Sequence, residues 1–245
     1  MLQMTRKYSR IALIFAGGVG TRMNNGALPK QFLEVENKPI IIHTLEIFQK
    51  SQEIDAIVIA ITPDWKDYLN ELVEKYNITK VIKTVEGGET SQISQYHAMT
   101  AINECVTDDA IVLIHDGVRP LIDDQVIKSN ITSVIDNGNA ITVKKAIETV
   151  ITIQDDQQVS EVLDRDKYRM AVAPQSYRFK DIFGAHNRAR AINKTDFVDS
   201  AQLMQYFGVN LFYVEGTTNN IKITTPIDYF IFKGILEARR INSIF

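Results

Sequence analysis

The most constraining stretch of the chain is residues 11–32, IALIFAGGVGTRMNNGALPKQF. Its opening apolar run, residues 11–16, is of the kind a buried strand needs. That run feeds Gly17, Gly18 and Gly20, then Arg22, and the stretch closes on Pro29, Lys30, Gln31 and Phe32. A buried strand ending in a glycine-rich turn brings backbone N–H groups close to whatever lies above a sheet. Without Cβ atoms, a phosphate chain can rest directly on that backbone. Arg22 and Lys30 add two cations to the same loop, which suits a triphosphate whose charge must be neutralised while one phosphorus is attacked. The spacing is not that of a P-loop, since no GxxxxGK followed by Ser or Thr occurs. It is not a GxGxxG dinucleotide fingerprint either, because Met23 stands at the third glycine's place. The glycines alone would fit an ordinary strand–loop connection. The two cations and Pro29 beside them favour a phosphate site.

At 245 residues with 45% apolar content, the chain can build one large α/β domain or two small ones. Its net charge of −3 supplies no global basic field for nucleic acid, so an anionic ligand must be met by local cations. A single cysteine, Cys105, excludes an intramolecular disulfide and a cysteine-rich zinc site, and reads as a small packing residue. The first ten residues are too polar for a signal peptide, and no stretch approaches the ~20 apolar residues of a membrane span. The expected setting is the cytoplasm, with no membrane and no nucleic-acid partner.

Residues 39–49 predict a helix opened by Pro39, with Ile42, Leu45 and Phe48 on one face. Residues 56–61 read as a second buried strand. A turn at 62–64 follows, with Asp64 placed to cap a helix reaching about Tyr76. A third strand is expected at 80–84, a helix around 92–103 and a fourth strand at 110–114. This β-α-β-α order implies a mostly parallel sheet with helices on both faces. Ligands then sit at the carboxyl ends of the strands, so the loops after Ala16, Thr84 and Ile114 should share one rim. On that rim, Gly87 and Gly88 lead into a helix whose first amides and Ser94 hydroxyl can contact a nucleotide base or ribose. A glycine turn with a helix cap is the plainer account of them. Asp116 sits directly after a buried strand, where a carboxylate can hold Mg²⁺ or a substrate hydroxyl, with Arg119 as a cation beside it. His115 reads as a packed histidine. Residues 140–158 alternate and are rich in Ile, Val and Thr, and 158–163 can pair back on them. A short strand is expected to carry Lys222 to the rim, before Thr224-Thr225-Pro226 starts a final helix through about Arg240.

AGGVGTRM followed by LPKQF resembles the signature loop of the nucleotidyltransferases that make nucleotide-activated sugars and polyols. Within that group the chain is similar to the cytidylyltransferases of the methylerythritol-phosphate and ribitol-5-phosphate type. The resemblance implies a Rossmann-like α/β domain spanning 1–245, with an extended β-arm within 140–170 that interlocks with a second subunit. An exposed two-stranded arm needs packing partners, which independently favours a homodimer. It implies Mg²⁺ as cofactor, and CTP and a polyol phosphate as substrates. Ala16, Gly17, Gly18, Gly20, Gly88 and Ser94 would bind the nucleotide. Arg22, Lys30 and Lys222 would stabilise the reacting phosphates. Asp116 would lie at the acceptor and the metal, with Arg119, Thr149 and Asp199 also on the acceptor side. Arg165, in LDRDKY, would reach into the neighbouring subunit's site to bind the acceptor phosphate. HDGVRP, APQSY and NNIKITTP match the family pattern with departures: Ser91 replaces an arginine, Ala173 a threonine and Val198 a threonine. The family's Thr-Asp dipeptide can be aligned on Val198-Asp199 or on Thr195-Asp196. Asp199 is preferred because a helix then starts there.

AGG in the loop, Leu28 before Pro29-Lys30, Asp64-Trp65, Val118 before Arg119 and the absence of a lysine after Thr149 resemble the ribitol enzymes. Methylerythritol phosphate is the alternative acceptor. The three departures also motivate a different class of protein, a non-catalytic nucleotide-binding relative.

Overall fold

A computed structural model describes residues 7–17, 28–154 and 157–242. Gly18, Gly20 and Arg22, and the turn expected at Asp155-Asp156, lie outside the described residues. The first strand, β1 (Tyr8–Phe15), is buried on both faces from Ile11 to Ile14. Two-residue strands β2 (Glu34–Val35) and β3 (Lys38–Pro39) form a small hairpin before helix α1 (Ile40–Lys50), with Pro39 as its N-cap. Strand β4 (Ala56–Ile61) is buried at every position. A 3₁₀ turn over Pro63–Trp65 then leads into α2 (Lys66–Lys75). The expected cap by Asp64 is not formed. Trp65 is the N-cap and no side chain closes that end, because Asp64 is spent inside the 3₁₀ turn.

Strand β5 (Val81–Glu86) precedes α3 (Ser91–Ile102), and β6 (Val106–Asp116) runs well beyond the apolar core of residues 110–114. Helix α4 (Asp124–Asn137) ends on Gly138, whose φ of 89° suits the left-handed cap position that glycine adopts without strain. Then come β7 (Asn139–Lys145), a hairpin of β8 (Val150–Ile153) and β9 (Val159–Leu163), and β10 (Arg169–Arg178). Helices α5 (Phe179–Ala191) and α6 (Ser200–Tyr206), strand β11 (Tyr213–Glu215) and helix α7 (Pro226–Asn242) complete the order.

The central sheet has seven strands in the order β11-β7-β10-β6-β1-β4-β5. All its pairings are parallel except those of β10, which runs antiparallel to both β6 and β7. Strand alternation splits the core into two layers. Ala12, Ile14, Ile57, Ile59 and Ile61 face the helices α1, α2 and α4. Ile11, Leu13, Ala56, Val58 and Ala60 face α3, α5 and α6. Each large side chain buried this way contributes about 1.5–3 kcal/mol, enough to hold β1 and β4 as the rigid middle of the sheet.

Two expectations need correction. Residues 139–145 belong to the central sheet, so the separate hairpin begins only after Lys145. The apolar alternation of 140–145 is buried against α4 and the sheet rather than carried outward. Lys222 is not on a strand. Residues 220–224 follow a turn and join no ladder, and a short β11 (not expected from the sequence) occupies the sheet edge instead.

Candidate active site

The chain leaves β1 to build β4 and β5 on one side, then returns to lay β6 on the other. The order therefore reverses between β1 and β6, and at such a switch point a crevice opens above the strand ends. Phe15 and Asp116 are register partners there, the last residues of their strands. Ala16 is held by its amide to the Ala60 carbonyl, and its own carbonyl accepts from buried Gln31 Nε2 at 2.7 Å. That bond ties the far end of the glycine-rich stretch back to its start, and so sets Lys30 over the crevice.

One compartment of the crevice is lined by Ala16, Gly17, Lys30, Gly88, Ser91 and Ser94, with Asp116 and Lys222 at its inner wall. The three rim loops expected from the strand order do meet here. Thr90 caps α3 by accepting from the Ile93 amide at 3.2 Å. Ser94 Oγ accepts from the Gly88 amide at 3.0 Å and donates to the Thr90 carbonyl at 2.9 Å. In this structure the Ser94 hydroxyl thus shapes the loop. A Cβ on Gly88 would lie 2.2 Å from Ile93 Cγ2, so only glycine lets the loop pass so close to its own helix.

The second compartment adjoins the first through Phe15, Ser91, Asp116 and Lys222. It is also lined by Gln95, Arg119, Ala173, Gln175, Asp199 and Ser200. Asp116 lies between the two compartments with a side chain only 7% exposed. Arg119 Nε donates to its Oδ2 at 2.6 Å, and Lys222 Nζ sits 2.8 Å from its Oδ1. Burial, the largest single influence on this carboxyl, pushes its pKa up. The two cations outweigh burial and hold it below the usual carboxylate range. Arg119 is anchored by a second bond from Nη1 to the Asn220 carbonyl at 3.0 Å, and Asn220 Nδ2 donates to the Ala173 carbonyl at 2.7 Å. Lys222 is different, with a side chain 41% exposed. Its pair with Asp116 is screened by water and contributes little to stability, so a phosphate can take its place. The segment carrying it is pinned on both sides: the Ile223 amide donates to the Val118 carbonyl, and Asp228 accepts from the amides and hydroxyls of Thr224 and Thr225.

His115 is fully buried. It packs edge-on against Phe48, and Nε2 lies 3.2 Å from the Arg119 carbonyl. Desolvation lowers its pKa to about 4, which keeps it neutral and fits the packing role.

Asp199 lines the second compartment, caps α6 through the Gln202 amide at 2.9 Å and accepts from Gln175 Nε2 at 2.7 Å. Asp196 is exposed and pairs with Lys194. The geometry therefore favours Asp199 of the two alignments. Ser91, Ala173 and Val198, the three departures, all line this compartment. Thr149 and Arg165 are not brought to the crevice of their own chain. Thr149 is exposed, and Arg165 Nη1 donates to the Ile147 carbonyl at the foot of the hairpin. Gln95 and Gln31 were not foreseen as site residues. Gln31 stood in the quoted PKQF, but nothing local marks a glutamine that will be buried.

A profile of the 2-C-methyl-D-erythritol 4-phosphate cytidylyltransferase family matches residues 10–238. The chain belongs to that family. A protein named ribitol-5-phosphate cytidylyltransferase from Streptococcus agalactiae serotype III is 49% identical over 96% of this chain and 98% of the relative. One of the same name from Vibrio parahaemolyticus is 46% identical over 96% of this chain and 99% of its own. Among solved structures, the 4-diphosphocytidyl-2C-methyl-D-erythritol synthase of Anaerococcus prevotii superposes with a TM-score of 0.81 at 28% identity, covering 94% of this chain and 96% of that one. The 2-C-methyl-D-erythritol 4-phosphate cytidylyltransferase of Francisella tularensis gives 0.76 at 28% identity over 92% and 99%. The α/β fold is that of these cytidylyltransferases. The protein is an enzyme, a nucleotidyltransferase, and the reading as a non-catalytic relative falls away. No helix among the described residues is long and apolar enough to cross a membrane.

Proposed function

We propose that this enzyme transfers CMP from CTP to D-ribitol 5-phosphate, releasing pyrophosphate and giving CDP-ribitol. The observation that carries the acceptor is the near-full-length identity of 46–49% to proteins of that name. The two-compartment crevice supports the chemistry. CTP would lie with its triphosphate along Gly17–Gly20, Arg22 and Lys30, and its base toward Gly88 and Ser94. The polyol phosphate would occupy the Asp116–Asp199 side. An oxygen of the ribitol phosphate attacks the α-phosphorus, and the bond to the bridging oxygen of pyrophosphate breaks. Negative charge grows on the α-phosphate and on the leaving group, where Lys30 and Lys222 would offset it, with Arg22 of the same loop as the expected third cation. The attacking phosphate is already anionic, so no general base is required.

Among the described residues no cluster of three or more metal-ligating side chains exists. A lone buried carboxylate does fit Mg²⁺, which keeps several waters and takes most of its ligands from substrate phosphates. Asp116 would hold it, and the ion would draw charge from the phosphate oxygens. Exchange of Lys222 from Asp116 to a phosphate would free the carboxylate for that role.

The hairpin of β8 and β9 exposes Ile147, Ile153 and Val162 by 73, 73 and 66%. Such a surface favours cover by a second copy, with Arg165 and Thr149 completing the partner's acceptor compartment. We place the enzyme in the cytoplasm, where CTP is made. Pyrophosphate release with CTP, Mg²⁺ and each polyol phosphate tests the assignment. Turnover with ribitol 5-phosphate is expected to exceed that with methylerythritol 4-phosphate, and the reverse order would reassign the acceptor.

A further inference from the structure

Most polar side chains of the second compartment are committed to one another. Gln175 spends Nε2 on Asp199, and its Oε1 accepts from the Ala201 amide at 2.9 Å and from the Tyr177 hydroxyl at 3.3 Å. Arg119 is held by Asp116 and the Asn220 carbonyl. Gln95, one turn into α3, is committed at one end only. It is only 4% exposed and lines the compartment, and its Oε1 accepts from the Ser200 hydroxyl at 2.8 Å. Its Nε2 has no partner among the described residues. A carboxamide anchored at one end and unpaired at the other, on the wall of a cleft, is a donor held ready for a ligand. Asp199, next to Ser200 in the chain, accepts on the same wall and keeps lone pairs to spare. A donor beside an acceptor matches a hydroxyl group, which accepts one hydrogen bond and donates another.

We propose that Gln95 is a specificity-determining residue for the acceptor, its Nε2–H donating to a hydroxyl of the polyol chain while Asp199 accepts from the acceptor. The inference rests on the reading of the second compartment as the acceptor site. A linear pentitol phosphate carries a hydroxyl on every carbon that lacks the phosphate. A branched tetritol phosphate such as methylerythritol phosphate sets a methyl group on part of that surface. A methyl group against Gln95 would cover its N–H without pairing it, and sites built to bond a hydroxyl reject analogues that lack it.

The test is steady-state kinetics of Gln95→Met and Ser200→Ala with CTP and ribitol 5-phosphate, alongside thermal melting and CTP titration. Gln95→Met is expected to raise the KM for ribitol 5-phosphate about tenfold, the worth of one neutral hydrogen bond. Its CTP affinity and its kcat at saturating acceptor should stay within about twofold, and its preference over methylerythritol 4-phosphate should shrink by a similar factor. Ser200→Ala, which frees the amide to turn, should move the acceptor KM in the same direction by less, and it carries the test if Gln95→Met does not fold. Monodeoxy ribitol phosphates supply a readout that a purely structural role would not move. One of them should lose about as much on the wild-type enzyme as Gln95→Met does on ribitol phosphate, and the two losses should not add. An unchanged acceptor KM, a parallel rise for CTP, or additive losses at every deoxy position would each overturn the role of Gln95. A wild-type enzyme that uses neither acceptor would overturn the functional reading itself, and this inference with it.

Discussion

Asp116 is a buried carboxylate whose charge survives because two cations flank it, and those cations are not equivalent. Arg119 is locked by burial and two bonds, whereas Lys222 is half in water and can change partner. Lys30 lies on a short turn lining the first compartment, where in the proposed reaction its charge would offset the developing negative charge. Lys30→Ala is therefore expected to fold normally and bind CTP while losing at least ~10²-fold in kcat, and near-normal turnover would exclude Lys30 from the reaction. His186 makes a residue-scale prediction about stability. It is buried, its Nε2 is unpaired, and desolvation lowers its pKa to about 4. The unfolded chain protonates this group near its ordinary 6.5, so stability is full above that value and is lost as pH falls from about 6.5 toward 4. Denaturant melts of His186→Leu at pH 7 and pH 5 should show a weaker loss at pH 5 than the wild type. Equal pH dependence in the two proteins would rule out this source.

Element by element, the site depends on what each strand or helix does at its carboxyl or amino end. Strand β6 continues past its apolar core to Asp116, so the carboxylate belongs to the rigid sheet and not to a loop. The entry to α3 is held by two neighbouring contacts, the Thr90 cap and the Ser94 bond to Gly88. Gly88→Ala would drive its Cβ into Ile93, where both Cγ2 and Cβ lie within 2.8 Å, so the loop or the helix start must shift. We expect a lower melting temperature and a CTP KM raised several-fold, with the acceptor KM changed less. A variant that melts and binds CTP like the wild type would show that the loop tolerates the added methyl. The start of α7 shows how a remote element sets an active-site residue. Asp228 gathers four bonds from Thr224 and Thr225, and Lys222 stands only two residues before them. The Thr224-Thr225-Pro226 run was visible in the sequence as a helix start. That the carboxylate would close back on both threonines, and so fix a lysine upstream, was not.

For the whole molecule, the proposed assembly makes each site a composite of two chains. Lys30, Asp116 and Lys222 come from one chain and Arg165 from the arm of the other. Co-expressing Lys30→Ala with Arg165→Ala tests this directly. Each variant alone should be nearly inactive. With random pairing about half of all dimers would combine the two variants, and each such dimer would carry one intact site of two, restoring about a quarter of wild-type activity. No recovery above the sum of the single variants would rule out sharing between chains. Local chemistry was enough to expect a phosphate site in the strand–glycine–cation loop, the parallel order of β1, β4, β5 and β6, and Asp116 at a strand end, whereas nucleotidyl transfer came from the resemblance of that loop to a family. These rest on period, turn residues and charge, which act over a few residues and show in one dimension. Only the tertiary structure decided that β10 runs antiparallel, that residues 139–145 join the central sheet, that Asp199 and not Asp196 faces the crevice, and that Gln95 lies buried on its wall with Oε1 taken by Ser200. Each of these depends on contacts between residues far apart in the chain. A glutamine buried by Ser200, 105 positions away, looks in the sequence like any polar residue on a helix.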